Sequence, residues 1–504
     1  MRRLFLSVAA ALCVTISVRA DEWPQGSGSS GAYVSSGDAA GEWSVVTGKN
    51  INWTRDLPET GQSTVVINRG KLFYTCYVPV EEDSVLGSNI VAYCADANNG
   101  EVIWERKIPG SHPLRLSGCF SDSTSPPPVT DGKRVCFFNA SGTIACFDLD
   151  GKELWRREKM AVGRSQPMLV EGKVIYTRQF IMPEEGKFGH EHKNAPLELW
   201  TQLEALDIAT GKSQWSTTCG VNMGAIPTLS RLSNGKSVIV LGRGGGHSPP
   251  ERPLGVSAVD ALNGKTLWTL PLDRFMSTQT YPVADDHALI FHGPDHLWVN
   301  QMGKIVKQVS ICENVTVRRW NGSSYEDSKE DIDYKRAKGR AITQQSNLLV
   351  GDFHYFRAYT KPYLGRVHVK TGKVEYLQLP VQLLRRKESN DRMIWSLKDP
   401  DFVEADLRNN NGYVVMGDPR SRTNTWGHHA SPIMTAIGDH LYLPTLLGTV
   451  YCIDWKSETL DENAILSIND LGRPGQTWTR ASMSYANGKL YARTIQELIC
   501  IEAQ

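Results

Sequence analysis

From about residue 63 onward, the chain switches between short runs in which apolar and polar residues alternate and short breaks rich in Gly, Asn and Asp. Period-two runs of Val, Ile, Leu, Tyr and Phe bounded by such breaks predict β-strands joined by tight turns. Two phrases recur. One starts extended, turns and ends apolar: "PPVTDGKRVCFF" from Pro127, "PMLVEGKVIYT" from Pro167 and "SMSYANGKLYA" from Ser482. The other reads "ADANNGEVIW" from Ala95, "FDLDGKELW" from Phe147, "ALDIATGKSQW" from Ala205 and "AVDALNGKTLW" from Ala258, with a weaker copy, "VHVKTGKVEY", from Val367. The first phrase supplies strands A and B of a unit, the second strands C and D. Asn-Gly, Asp-Gly and Thr-Gly supply the positive φ that a short antiparallel connection needs.

Trp104, Trp155, Trp215 and Trp268 end successive copies at intervals of 51, 60 and 53 residues. A period of that size with four strands per unit predicts propeller blades, which cannot bury both faces of a sheet without neighbours. The tryptophans are expected to plate one blade against the next. Strand A phrases begin near Ser63, Ser125, Ser165, Ala225, Thr280, Thr343, Ser431 and Ala481. The last unit lacks a strand D, and the segment around Trp53 is a strand D with no A, B or C before it. Joining them predicts a single all-β fold: an eight-bladed propeller of four-stranded antiparallel blades, its ring closed by an N-terminal strand. Seven blades is the alternative if the weak unit at 343–379 is no blade.

Strand direction then sorts the connections. The A–B and C–D turns share one face and are mostly short. The B–C and D–A loops share the other and carry nearly all the additional sequence, including insertions at about 312–341 and 380–430. Long loops on a rigid scaffold are where function concentrates. The charged run 323–340 reads as a solvated or mobile excursion, and the stretch from Asn390 as a short helix capping the long-loop face.

Composition narrows the partners. A net charge of +1 offers no large basic footprint for nucleic acid or an anionic membrane. Residues 1–20 combine Arg2 and Arg3, an apolar stretch too short to span a bilayer comfortably, and Val18 and Ala20 at cleavage-site positions. They read as a signal peptide, followed by a lead-in over 21–42 and the propeller over 43–504, so the mature chain is expected to be periplasmic or secreted, with no transmembrane segment after signal cleavage. The ten cysteines show no C-x-x-C or haem motif. Cys94, Cys146, Cys452 and Cys500 occupy a slot that holds Ala205 and Ala258 elsewhere, which marks them as small buried residues.

The phrase A-x-D-x-x-T-G-K-x-x-W resembles the repeat of PQQ-like β-propellers, the superfamily that includes quinoprotein alcohol dehydrogenases and the outer-membrane assembly propeller. "EWPQGSGSSG" and "EWSVVTGKNINWTRDLP" resemble the lead-in of exported bacterial proteins of this type. The resemblance covers nearly all of the mature chain and implies the fold. For a dehydrogenase it also implies PQQ and Ca²⁺ at the top of the central funnel. This chain lacks the adjacent-cysteine ring under that cofactor, and its carboxylates do not match the metal ligands residue by residue, so no catalytic or metal-binding residue is assigned.

Binding candidates come from repeat phase and loop position. Arg164, Gln166, Gln279, Gln344, Gln345 and Arg480 precede or start strands A and are expected to line a polar funnel. Arg243 and His247 lie in the glycine-rich "GRGGGHSPPERP", which has neither a following helix nor a Walker lysine and reads as a close-packed loop. Trp426, His428 and His429 lead into a strand A near the channel mouth, where adjacent histidines could ligate a metal but meet no matching carboxylate cluster. His190, His192, His292 and His296 read as solvated loop residues. The favoured reading is a non-catalytic binding or assembly scaffold with a protein, small-molecule or polymer ligand on the long-loop face. A PQQ-dependent dehydrogenase and a carbohydrate or polymer binder are the alternatives. Fold alone does not establish chemistry.

Overall fold

The computed structural model describes residues 22–503 except 117–121, 180–199, 222–225, 244–252, 274–279, 333–346, 359–361, 386–392, 397–406, 416–431 and 474–476. Eight antiparallel sheets form an eight-bladed propeller. Blade 1 runs from its innermost to its outermost strand as Val66–Asn68, Lys71–Tyr77, Ile90–Asp96 and Val102–Ile108. Blades 2 to 7 span 129–158, 168–216, 229–271, 283–310, 347–378 and 435–470. Blade 8 contains Ser484–Ala486, Lys489–Arg493 and Glu497–Ile501, and its outermost strand is the N-terminal Ile51–Asp56. Trp53 lies opposite Cys500 in that pairing. One sheet made from both ends of the chain thus closes the ring and removes an open edge.

The repeated phrase has a physical reason at each position. The Asp caps its turn: Asp96, Asp148 and Asp207 accept from the backbone N–H of Asn98, Asp150 and Thr210. The Gly adopts positive φ, +75° at Gly100, +83° at Gly151 and +68° at Gly211. The Trp lies on the turn glycine of the next blade, so an added Cβ would come within 2.7 Å of Trp53 at Gly100, 2.8 Å of Trp104 at Gly151, 2.6 Å of Trp155 at Gly211 and 2.4 Å of Trp215 at Gly264. The indole N–H of Trp53, Trp104 and Trp155 donates to Ala97, Leu149 and Ile208 O, each just after the capping Asp. The residue paired with each Trp across its own sheet is small: Cys94 with Trp104, Cys146 with Trp155, Ala205 with Trp215 and Ala258 with Trp268. Burial pushes the Cys94 and Cys500 thiols up to about 12, so they remain protonated.

Three junctions use other chemistry. Opposite Trp298 in blade 5 stands Lys307, whose Nζ lies 4.4 Å from the Trp298 ring centroid and donates to Lys370 O in blade 6 at 2.9 Å. Arg366 of blade 6 pairs with Glu375 and donates to Ser457 O and Glu458 O of blade 7 at 2.7 and 2.9 Å. Trp43, from the lead-in, is buried beside Tyr442 of blade 7 in the cluster that also holds Met483 and Tyr485 of blade 8.

Several details differ from the sequence reading. The run 323–340 is not simply a solvated excursion. Tyr325–Glu330 pairs with Val315–Trp320, which runs parallel to Val374–Gln378 and extends blade 6 to six strands. Blade 7 gains a fifth strand, Val34–Ser35, against its inner edge. Met393–Ser396 pairs with Val381–Arg385 as a strand where a helix was expected. His292 and His296 are not solvated loop residues, because the link between them is only a tight turn. His292 bonds Asp273 at 2.7 Å, and His296 is wholly buried.

His296 belongs to a fixed proton chain. Asn347 Oδ1 accepts from His354 Nε2 at 2.7 Å, so His354 Nδ1 accepts from His296 Nε2 at 2.8 Å. His296 Nδ1 is then unprotonated and buried without a partner. Burial pushes His354 down to about 3; burial, His354 and Lys307 push His296 well below its usual value.

Two outcomes follow from this packing. Gly172 has φ +75° with open space around it, whereas Gly211, with φ +68°, faces Trp155. In urea unfolding, Gly172→Ala should cost about 1 kcal/mol and Gly211→Ala about 2–4 kcal/mol, the difference being the displaced indole. The histidines stay neutral when folded and bind protons when unfolded. Below about pH 6, each should therefore remove about 1.4 kcal/mol of stability per pH unit fallen, until its folded pKa is reached. His354→Gln should flatten that acid limb when unfolding midpoints are measured against pH.

Candidate functional site

The lead-in determines which end of the channel is open. Trp23 exchanges backbone bonds with Ile67 of blade 1, Pro24 O accepts from Thr130 of blade 2, and Gln25 Oε1 accepts from Leu169 of blade 3. Gly31 O then accepts from Leu229 of blade 4, and Tyr33 O from Ala436 of blade 7. All five partners belong to innermost strands, and Ile67, Thr130, Leu169 and Ala436 lie one or two residues before their A–B turns. The segment therefore crosses the channel at the short-turn end, with Trp23, Ser27 and Tyr33 wholly buried. Backbone donors and acceptors of inner strands that would otherwise face the channel are satisfied by it.

The opposite end is built from inserted sequence. Leu86–Gly87 and Leu114–Arg115 pair as a small sheet above blade 1. Residues 407–415, from the insertion between blades 6 and 7, return over blades 8 and 1. Asn409 Nδ2 donates to both oxygens of buried Glu59, at 3.1 and 2.9 Å, and the same carboxylate accepts from Thr60 N and Val80 N. Asn410 Nδ2 donates to Leu57 O and Gln496 O, both at 2.8 Å. Leu407 packs against Leu446, Trp478 and Ile495, and Trp478 is fully buried. Seated on backbone and core, this strap forms a fixed part of the long-loop face.

Between floor and face, a chamber of about 80 Å³ is lined by Gln62, Thr64, Ser125, Arg164, Gln166 and Arg480, among others. Three funnel candidates, Arg164, Gln166 and Arg480, thus share one cavity. Tyr33 donates to Gln166 Oε1 at 2.7 Å. Burial and then the like charge of Arg480 lower the Arg164 guanidinium from its usual value, while Asp122 opposes them. A guanidinium starts so far above neutrality that it stays charged. Arg243 lies elsewhere: buried in blade 4, it donates to Pro253 O at 2.8 Å and Ser257 Oγ at 3.2 Å. His190, His192, His247, Gln279, Gln344, Gln345, Trp426, His428 and His429 lie outside the described residues. Of the blade tryptophans, Trp53 and Trp104 are buried, and Trp155, Trp215 and Trp268 are half-buried at the blade junctions.

The sequence reading did not identify Tyr33, Glu59 or Asn409 as site residues. Tyr33 lies in a glycine-rich lead-in without periodicity, and Glu59 and Asn409 are separated by most of the ring. Among the described residues, no group of three or more His, Cys, Asp or Glu side chains is placed to hold a metal ion, and no helix is long and apolar enough to cross a membrane.

The family model for outer membrane protein assembly factor BamB matches residues 48–217, which cover the first three blades and the closing strand. No curated protein matches the sequence. Among solved structures, the quinohemoprotein alcohol dehydrogenase from Comamonas testosteroni is similar at TM-score 0.53 and 14% identity, covering 96% of this chain and 80% of that one. The quinohemoprotein alcohol dehydrogenase ADHIIG from Pseudomonas putida HK5 is similar at 0.51 and 12%, covering 96% and 81%. A europium-containing methanol dehydrogenase gives 0.51 and 12%, covering 94% and 89%. At these identities the structural likeness concerns the fold alone. With the repeat in the sequence, the family-model match over the first three blades and the eight-bladed ring, the chain is similar to PQQ-like β-propellers and shares their fold.

Proposed function

We propose that this chain is an exported, non-catalytic binding or assembly scaffold that engages a protein partner through its long-loop face. The observation that carries this reading is the lead-in across the short-turn end of the channel, which leaves the inserted loops and strap as the differentiated surface. The family model over residues 48–217 is that of an assembly factor, and residues 1–20 have the pattern of an export signal.

The second reading is a PQQ-dependent dehydrogenase, favoured by the named solved structures. No described carboxylate cluster is available for its calcium.

Two measurements test the choice. Titration of the purified protein with PQQ and Ca²⁺, followed by tryptophan fluorescence and a dye-linked alcohol oxidation assay, should give neither saturable quenching nor turnover; both together would make the chain a dehydrogenase. Photo-crosslinking residues installed in cells at Glu82 and Arg408, exposed on the long-loop face, should give discrete protein adducts, and those at exposed Glu171 and Asn487 on the short-turn face should not. Equal labelling from both faces would overturn the proposed surface.

A further inference from the structure

A cavity of about 240 Å³ lies off the axis, between blades 4 and 5. Its floor is apolar. Val238 and Val240 come from Ser237–Arg243, Ala258 from Gly255–Asp260, Ala288 from His287–His292 and Val299 from Asp295–Val299. All five are buried, and half-buried Trp268 walls the outer side.

The space arises where the repeat departs from its own pattern. In each blade, one second-strand residue pairs with the residue just before the C–D turn. In the other seven blades it is Leu72, Leu441 or Leu490, Val135 or Val174, Ile239, or His354. In blade 5 it is Ala288, paired with Val299. Facing it from blade 4 are Val240 and Ala258, so no large side chain replaces the missing volume. Trp268 does not fill it either. A Cβ on Gly303 would meet the Trp268 ring only at 3.3 Å, against 2.4 Å for Trp215 at Gly264. The indole stands away from its glycine and lines the cavity instead.

The mouth is polar and held in place. Asn234 and Lys236 lie in or beside the A–B turn of blade 4, Asp286 in that of blade 5, and Asn300 and Gln301 at the C–D turn of blade 5, so the cavity opens on the short-turn face. Ser233 N donates to Asp286 Oδ1 at 2.7 Å and Ser233 Oγ to Asp286 Oδ2, which ties the two blades together across the opening. Lys236 Nζ lies 3.6 Å from Asp260, so both charges at the mouth already have partners. Asn234 Oδ1 accepts from Lys236 N, and Asn300 Oδ1 from Met302 N and Lys304 N. The two amides therefore keep their Nδ2 donors for a guest.

Size and chemistry select the ligand class. A cavity of ~150 Å³ admits one benzene ring, so about 240 Å³ admits two fused rings. A sugar would bury hydroxyls against valine and alanine without partners, which is unfavourable, whereas an aromatic ring suits both that floor and an indole wall. Balanced charges at the mouth favour a neutral guest. We propose that the cavity between blades 4 and 5 binds a neutral bicyclic aromatic molecule, its rings beside Trp268 and a hydrogen-bond acceptor toward Asn234 and Asn300. The site lies on the face opposite the partner surface above, and either reading can fail alone.

The test uses the full chain with quinoline, uncharged at neutral pH, as probe. Saturation-transfer NMR should show saturable binding, and quinoline at about twenty times its dissociation constant should raise the unfolding midpoint by about 2 °C. Ala288→Leu restores the residue found in blades 1, 7 and 8. It should abolish quinoline binding and raise the midpoint without ligand. Ala288→Val, a smaller change should the leucine overpack, should weaken binding about tenfold. A cavity that is only a packing gap would give the stability gain with no quinoline binding to the unaltered chain, and would overturn the proposal. Unchanged binding to folded Ala288→Leu or Ala288→Val, or tighter binding of methyl glucoside or of N-methylquinolinium than of quinoline, would also overturn it.

Discussion

The contact on which the ring depends is an indole laid flat on a glycine. A blade is a twisted sheet with two apolar faces, so it is stable only between neighbours. Each repeat carries both halves of the joint. Its turn glycine, held at positive φ, receives the preceding blade's tryptophan, and its own tryptophan reaches the following turn. A side chain on the glycine would lift the plate away. A bulkier residue opposite the tryptophan would crowd it within its own sheet, which explains why Cys and Ala alternate there. The repeat is therefore conserved within the chain by geometry: one spacing must satisfy two interfaces at once.

The joint also explains where the repeat fades. From blade 5 to blade 8, the same space between blades is bridged by Lys307 on Trp298, by the Arg366–Glu375 pair reaching two carbonyls, and by Trp43 from the lead-in. Each replacement donates a hydrogen bond or supplies an aromatic plate, but none keeps the spelling of the phrase. The weak unit at 343–379 is a full blade whose docking chemistry has changed, and that settles eight blades over seven.

What was legible in the sequence follows the same division. The blade count, the closing strand and the separation of short turns from long loops were readable because they depend on period and strand direction. The hairpin 315–330 was not, because an outer strand with little to bury shows charge where a buried strand shows alternation; Tyr325–Glu330 is largely polar. His296 was misread because "HGPDH" has the composition of a loop, yet Gly293 and Pro294 form a turn short enough to leave His296 inside the sheet. Arg164, Gln166 and Arg480 could be proposed together from repeat phase, since equivalent positions on a ring converge on its axis. Tyr33 could not, because its role exists only once the lead-in has crossed the channel.

That crossing gives the axis its polarity. A propeller channel is by default a hole with two equivalent routes of entry. Here the lead-in satisfies the inner strands at one end, and blade 8, completed by the strand that follows it, fixes the lead-in in turn. At the other end, buried cations at the tips of second strands are held by oxygen atoms of the neighbouring structure. Arg493 donates to Thr75 O and Ser63 Oγ in the next blade, at 2.8 and 3.0 Å, and Arg357 donates to Pro444 O. Carbonyl and hydroxyl dipoles stabilise these guanidinium groups without cancelling their charge. The repeats supply a rigid ring of similar parts, and the non-repeating lead-in makes one end of that ring different from the other.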